Sequence, residues 1–368
     1  MRQRCFRRWF FHTSANVGVS LIAPFQRWVL RALVALVVAL ATFVSGSSCF
    51  AADPHYAYFR IGNASDIETK FQGGFALIGG GKDLDAAFQW MCEHSGGGDF
   101  LIVRARGTDA YNPYVQGVCH LNSVATLVIP DRAAAADPFV IKTIHSAEAI
   151  FIAGGDQADY INFWMGTPVQ QALNDAIARN VPIGGTSAGL AVQGEFVYSS
   201  QGDAPDGPAL TSSEVLSNPF NPRVTIVRQF LNIPLLKSVI TDTHFSARDR
   251  MGRTLVFMAR ILQDGLSTQV RDIAVDERTA VLLEPDGRGS VVGAGYAYFL
   301  QAAKKPETCE PATPLTFRGV AATSLHAGEH FDVRSWSSTE GTSYTLSVES
   351  GTLHSTLRSG AVYTNPHN

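Results

Sequence analysis

Cysteine is scarce in this chain: five in 368 residues, two of which, Cys5 and Cys49, fall within the first fifty. A chain of this length that is 46% hydrophobic can bury a sizeable core without disulfide staples. No CxxC pair and no HExxH stretch occurs, so a zinc site has no support and no metal is expected. The Gly-rich stretch GGGKD, Gly79 to Asp83, is neither GxGxxG nor a Walker loop, so no nucleotide or other cofactor is implied. No internal repeat and no biased tract interrupts the composition of an ordinary globular protein.

Acidic residues are absent from the first fifty positions, which hold six arginines (Arg2, Arg4, Arg7, Arg8, Arg27 and Arg31). An apolar run, Ala32 to Val44, follows; it is too short to span a bilayer comfortably. Small residues ending in SSCFAADP complete the pattern of a secretory signal peptide, with cleavage expected after Ala51. An exported protein, periplasmic or extracellular, is therefore expected, with no membrane attachment after cleavage; an uncleaved anchor is the other reading. Taking those six arginines from 29 Lys+Arg leaves 23 against 32 Asp+Glu, a net charge of −9 for the remainder. That balance argues against nucleic acid, whose binding is dominated by basic contacts to phosphate. Of the remaining cysteines, Cys92 and Cys119 are placed to pair across a loop, and Cys309 is the odd one out.

Short apolar runs read as buried strands, most of them followed by helical patterns: FALIGG from Phe75, FLIVRA from Phe100, TLVIP from Thr126, IFIAGG from Ile150, VPIGG from Val181 and SVITD from Ser238. Helices are expected near Leu84 to His94, Asp137 to Ala149, Thr167 to Asn180, and from about Ser246 to Gln263. This alternation predicts an α/β fold, a parallel sheet with helices on both faces. After Asp272 strands joined by turns take over. The expected organisation is a leader over 1–52, an α/β domain over 53–303, a linker over 304–314 and a β-rich tail over 315–368, to which no catalytic role is given.

GTSAG, around Ser187, fits G-x-S-x-G, in which a strand ends, the chain turns sharply and a helix begins. The turn lifts the hydroxyl clear of the sheet, and the N–H of the next residue, Ala188, is placed for a developing oxyanion. A Gly-rich turn with an idle serine is the other reading. A nucleophilic serine needs a base. His244 follows SVITD at the C-terminal end of a strand, the edge where sites gather in parallel sheets. GGDQ, Gly154 to Gln157, is expected on the same edge, where Gly155 can offer an N–H and Gln157 can orient a substrate amide; a plain turn is the alternative. Arg248, Arg250 and Arg253 suit a substrate bearing carboxylates, unless they form a solvated basic face, as Arg260 is read to do.

Together GGTSAG, GGDQ and DTHFSARDRMGR resemble the cyanophycinases, within the wider serine peptidase family that includes aspartyl dipeptidase. IAVDERTAVLL is similar to the strand pair that follows the Arg helix in those enzymes, and the likeness covers about Gly73 to Leu300. The resemblance implies a flavodoxin-like sheet akin to class I glutamine amidotransferases, and hydrolysis of cyanophycin, an arginine-bearing polyaspartate, to β-aspartyl-arginine. It implies Ser187 as nucleophile, His244 as base, and Gln157, Arg248, Arg250 and Arg253 on the substrate side; the N–H groups of Ala188 and Gly155 are then expected at the oxyanion. It also suggests a homodimer. Intracellular cyanophycinases carry an acid in a GDE segment after the serine; this chain reads QGDAPDG, with Ala204 at that place. Glu214 is then the first candidate to orient His244, Asp203 the next, with Asp206 also in reach. Asp203 and Asp206 are in addition expected to receive the substrate guanidinium. A peptidase for another aspartyl peptide, an esterase, and a non-catalytic binding protein on the same fold are the rival readings.

Overall fold

The computed structural model describes residues 55–204, 207–358 and 360–364. The expected leader and its cleavage site, and Asp206, lie outside the described residues. Among those described, no helix is long and apolar enough to cross a membrane.

The strands in chain order are β1 (Ala57–Gly62), β2 (Phe75–Ile78), β3 (Asp99–Arg104), β4 (Ser123–Val128), β5 (Ala149–Ile152), β6 (Ile183–Thr186), β7 (Phe196–Tyr198), β8 (Ile226–Arg228), β9 (Val239–Asp242), β10 (Val270–Val275), β11 (Thr279–Leu283), β12 (Arg288–Gly293), β13 (Tyr296–Ala302), β14 (Phe317–His326), β15 (His330–Asp332), β16 (Thr342–Glu349) and β17 (Thr352–Ser355). A first sheet has the order β1-β4-β3-β5-β6-β2-β11-β12-β15. Its middle, β4-β3-β5-β6-β2, is parallel throughout. The run β4-β3-β5-β6 repeats the 2-1-3-4 order of flavodoxin-like sheets, and β2, first of the five in the chain, takes the last place.

Alternation along each strand feeds two cores. Leu77, Leu101 and Val103 face the helices Pro138–His145, Gln157–Trp164 and Pro168–Ala178. Their neighbours Ala76, Ile78, Phe100 and Ile102 face the helices Asp85–His94 and Tyr111–Val118. Burial on both faces is why these strands read as unbroken apolar runs. Cys92 and Cys119 are joined by a disulfide that ties the second helix pair together, and Cys309 is free and buried.

A second sheet, β17-β16-β14-β13-β10-β9-β7-β8, packs one face on the first core and the other on the helix Met251–Gln263. SVITD, expected to extend the first sheet, is β9 of this second sheet. Its pairings with β7 and β10 are parallel, and the other pairings of the sheet are antiparallel. The expected C-terminal tail is not set apart by a linker. β14 pairs with β13, and β15 pairs with β12, so the segment after 315 completes both sheets.

Asp272, on β10, is wholly buried on the face toward Met251–Gln263, and neither carboxylate oxygen has a hydrogen-bond partner. Burial, reinforced by the nearby Asp242, holds its pKa well above the carboxylate range. A raised folded pKa costs stability as pH rises above the unfolded value, near 3.9. Asp272→Asn is therefore expected to raise the unfolding free energy at pH 8 by about 1–2 kcal/mol, and to give little gain at pH 3.5. Equilibrium unfolding at both pH values checks this.

Candidate active site

At the end of β6 the chain turns through Ser187, whose backbone sits at φ 52° and ψ −116°, and enters the short helix Ala188–Ala191. This conformation is strained for a non-glycine residue and is the signature of a nucleophile elbow. Neighbouring parts hold it in place. The Ser187 N–H donates to the Ile78 carbonyl at 3.1 Å, and a Cβ at Gly189 would stand 2.0 Å from the Ile152 carbonyl oxygen. Only glycine admits so close an approach, which accounts for the second glycine of the motif.

His244 lies two residues beyond β9, in the second sheet, and is buried. Its N–H donates to the Gly79 carbonyl at 2.8 Å, while Thr241 Oγ1 donates to the Leu190 carbonyl at 2.9 Å. These bonds seam the two sheets together. The imidazole Nε2 then meets Ser187 Oγ at 2.8 Å. The serine and the histidine thus belong to two different sheets rather than one rim. Gly80, at φ 102°, packs directly on the ring, since a Cβ there would lie 2.5 Å from Nε2. GGGKD is therefore a platform for the histidine.

The third member is Glu277. Its Oε1 lies 2.6 Å from His244 Nδ1. It occupies the crossing from β10 in the second sheet to β11 in the first, the place where serine and histidine converge. The adjacent Asp276 accepts from the Ser246 N–H and Oγ and from the Tyr296 N–H, fixing that crossing. Both acids expected from the sequence are elsewhere. Glu214 forms a capping box with Thr211 and accepts from Arg223. Asp203 accepts from Arg223 Nε at 2.6 Å and from the Tyr198 hydroxyl at 2.8 Å, so its oxygens are not open to a ligand guanidinium either.

Burial lowers the His244 pKa, and Arg248 and Arg250 push the same way; the hydrogen bond to Glu277 opposes them. Glu277 is itself held below the usual carboxylate range, first by that hydrogen bond. The result is a neutral imidazole at neutral pH, free to accept the serine proton. Among the described residues the N–H groups of Ala188 and Gly155 have no hydrogen-bond partner. A cavity of about 930 Å³ opens beside the elbow. Gly154, where a Cβ would stand 3.5 Å from Ser187 Cβ, lines it together with Gln157, Arg248, Arg250 and Arg253.

The three arginines divide by role. Arg253 is buried and bidentate on Asp242, through Nε at 2.9 Å and through Nη2. Arg250, also buried, donates to the Thr243 carbonyl and hydroxyl. Arg248 is exposed and makes no side-chain hydrogen bond among the described residues. The long helix expected from Ser246 is broken. A short turn, Ser246–Arg248, ends at Asp249 in the left-handed region, φ 48°, and the helix restarts at Met251. Tyr363 stabilises the break: its hydroxyl donates to Asp249 Oδ1 at 3.0 Å and accepts from the Met251 N–H at 2.9 Å. That partner is more than a hundred residues away in sequence, beyond any local pattern.

Comparison with known proteins finds a likeness in sequence. Residues 110–252 match the model of peptidase family S51. A cyanophycinase of Trichormus variabilis is 28% identical over 213 residues, covering 56% of this chain and 64% of that protein. The chain is similar to the S51 peptidases. A cyanophycinase of Synechococcus elongatus is also 28% identical, over 59% of this chain and 65% of its own length. The chain thus spans just under two thirds of these curated relatives. A solved peptidase from an acI-B1 actinobacterium aligns over 72% of this chain and 98% of its own, at 17% identity and a TM-score of 0.47. In this S51-like chain the matched segment holds Ser187 and His244 but stops short of Glu277.

Proposed function

We propose that the chain is a serine peptidase that hydrolyses cyanophycin to β-aspartyl-arginine. The observation that carries the reading is the continuous contact Ser187 Oγ–His244 Nε2–Glu277, at 2.8 and 2.6 Å, beside an arginine-lined cavity. Likeness to cyanophycinases supports the substrate class. Ser187 Oγ attacks an aspartyl carbonyl of the polymer backbone while His244 Nε2 takes its proton. Glu277 steadies the imidazolium, and the N–H groups of Ala188 and Gly155 hold the oxyanion. The proton passes to the leaving amine, the peptide bond breaks, and water releases the acyl group by the same route. Arg248, with its guanidinium uncommitted, grips a substrate carboxylate, Gln157 orients the amide, and Arg250 and Arg253 keep the wall positive. The signal-like leader and the Cys92–Cys119 disulfide support export to an oxidising compartment.

The test is incubation of the chain with insoluble cyanophycin. Release of β-aspartyl-arginine by the wild type and not by His244→Ala is expected; intact polymer in both would end the reading. A second expectation concerns pH. Arg248 depresses the His244 pKa, so Arg248→Gln raises it, and the acid limb of kcat/KM moves to higher pH. KM should rise about tenfold as well, for loss of a charge-assisted bond. A pH series of initial rates on both proteins measures the shift; an unmoved or lowered limb would contradict it.

A further inference from the structure

We propose that Asp159 and Phe163 form a guanidinium subsite at the mouth of the catalytic cavity, filled here by the chain's own Arg106, and that an arginyl side chain of the substrate enters by displacing Arg106. The proposal rests on the peptidase reading above. Asp159 and Phe163 are four residues apart on the helix Gln157–Trp164, and so share one face. The loop that opens this helix comes close to the elbow at Gly154, where a Cβ would stand 3.5 Å from Ser187 Cβ, and Asp159 and Arg106 both line the cavity. Arg106 is held as a ligand would be. Its Nε and Nη2 donate to the two Asp159 oxygens at 2.5 and 3.1 Å. Its guanidinium carbon stands 5.8 Å from the centre of the Phe163 ring. A fork on a carboxylate beside an aromatic ring is the geometry that selects guanidinium over ammonium.

Two comparisons single out this carboxylate. The other carboxylates described along the cavity are engaged within the fold: Asp203 by Arg223 and Tyr198, and Asp156 as the cap of the Ala158 N–H and the acceptor of Ser200 Oγ. Exposure then separates the two ion pairs. The side chain of Arg106 is 73% exposed, against 20% for Arg223, so the Arg106 pair is the one water and a competing guanidinium can reach. Exposed pairs of this kind add little to stability, and a second guanidinium can make the same fork on the two Asp159 oxygens. Arg106 is then an internal competitor for the substrate.

Competition makes the two halves of one ion pair act in opposite directions. Asp159→Asn is expected to raise KM for an arginine-bearing aspartyl polymer about tenfold, with kcat within about twofold. Arg106→Ala is expected to lower KM about threefold, and the double variant to behave as Asp159→Asn. Agmatine, titrated calorimetrically into the full chain, supplies a readout independent of hydrolysis: tighter binding to Arg106→Ala and none to Asp159→Asn. If both single variants move KM and agmatine affinity in the same direction, or neither moves them, the pair is a loop brace and the subsite falls. If the agmatine pattern holds while the wild type releases no dipeptide, the subsite stands and the cyanophycin reading falls.

Discussion

Replacing Glu277 by glutamine is expected to lower kcat by about 10³–10⁴-fold. The amide keeps the shape but removes the charge that steadies the imidazolium formed when His244 accepts the Ser187 proton. The pH profile adds a directional check. Glu277 raises the His244 pKa, so its loss lets that pKa fall further, and the acid limb moves to lower pH while the plateau drops. Glu214→Gln supplies the contrast: its carboxylate caps a helix and pairs with Arg223, so kcat should stay within about threefold. Single-turnover and steady-state rates on the two variants separate the acids. Equal losses would remove Glu277 from the mechanism.

Replacing Ser187 by alanine is expected to lower kcat by about 10⁵–10⁶-fold, the loss that follows removal of a triad nucleophile. Folding should not suffer. The hydroxyl is bonded to His244 Nε2, whereas the elbow itself is held by backbone bonds and by Gly189. Alanine adopts the φ of 52° about as poorly as serine does, so the melting temperature should stay within about 2 °C. Calorimetry and a dipeptide-release assay on the same preparation test both halves. Activity within tenfold of wild type would exclude Ser187 as nucleophile.

The parts of the fold that were legible are those with one dominant local cause. β2, β3, β5 and β6 are buried on both faces, so their apolar runs stand out, and the Ser187 elbow is announced by glycines that close packing requires. β1 is not legible in the sequence, because it is a half-exposed edge strand without a buried run. The second sheet was hidden for another reason: SVITD has the same apolar character as a strand of the first, and only its tertiary pairing with β7 and β10 separates it. That mattered for the acid. The resemblance points instead to the segment after Ser187, where Asp203 and Glu214 stand. Once β9 is placed beside β10, the acidic turn of IAVDERT falls next to His244, because parallel neighbours end on the same edge. The arginine cluster was located, yet its division was not legible, since Asp242 claims Arg253 only through side-chain packing.

The central claim is tested most directly by treating the full chain with a serine-directed sulfonyl fluoride and mapping the adduct by peptide mass spectrometry. A single adduct on Ser187, lost in His244→Ala and formed far more slowly in Glu277→Gln, is the predicted result. No adduct on the wild type, or one whose rate ignores both substitutions, would contradict the account.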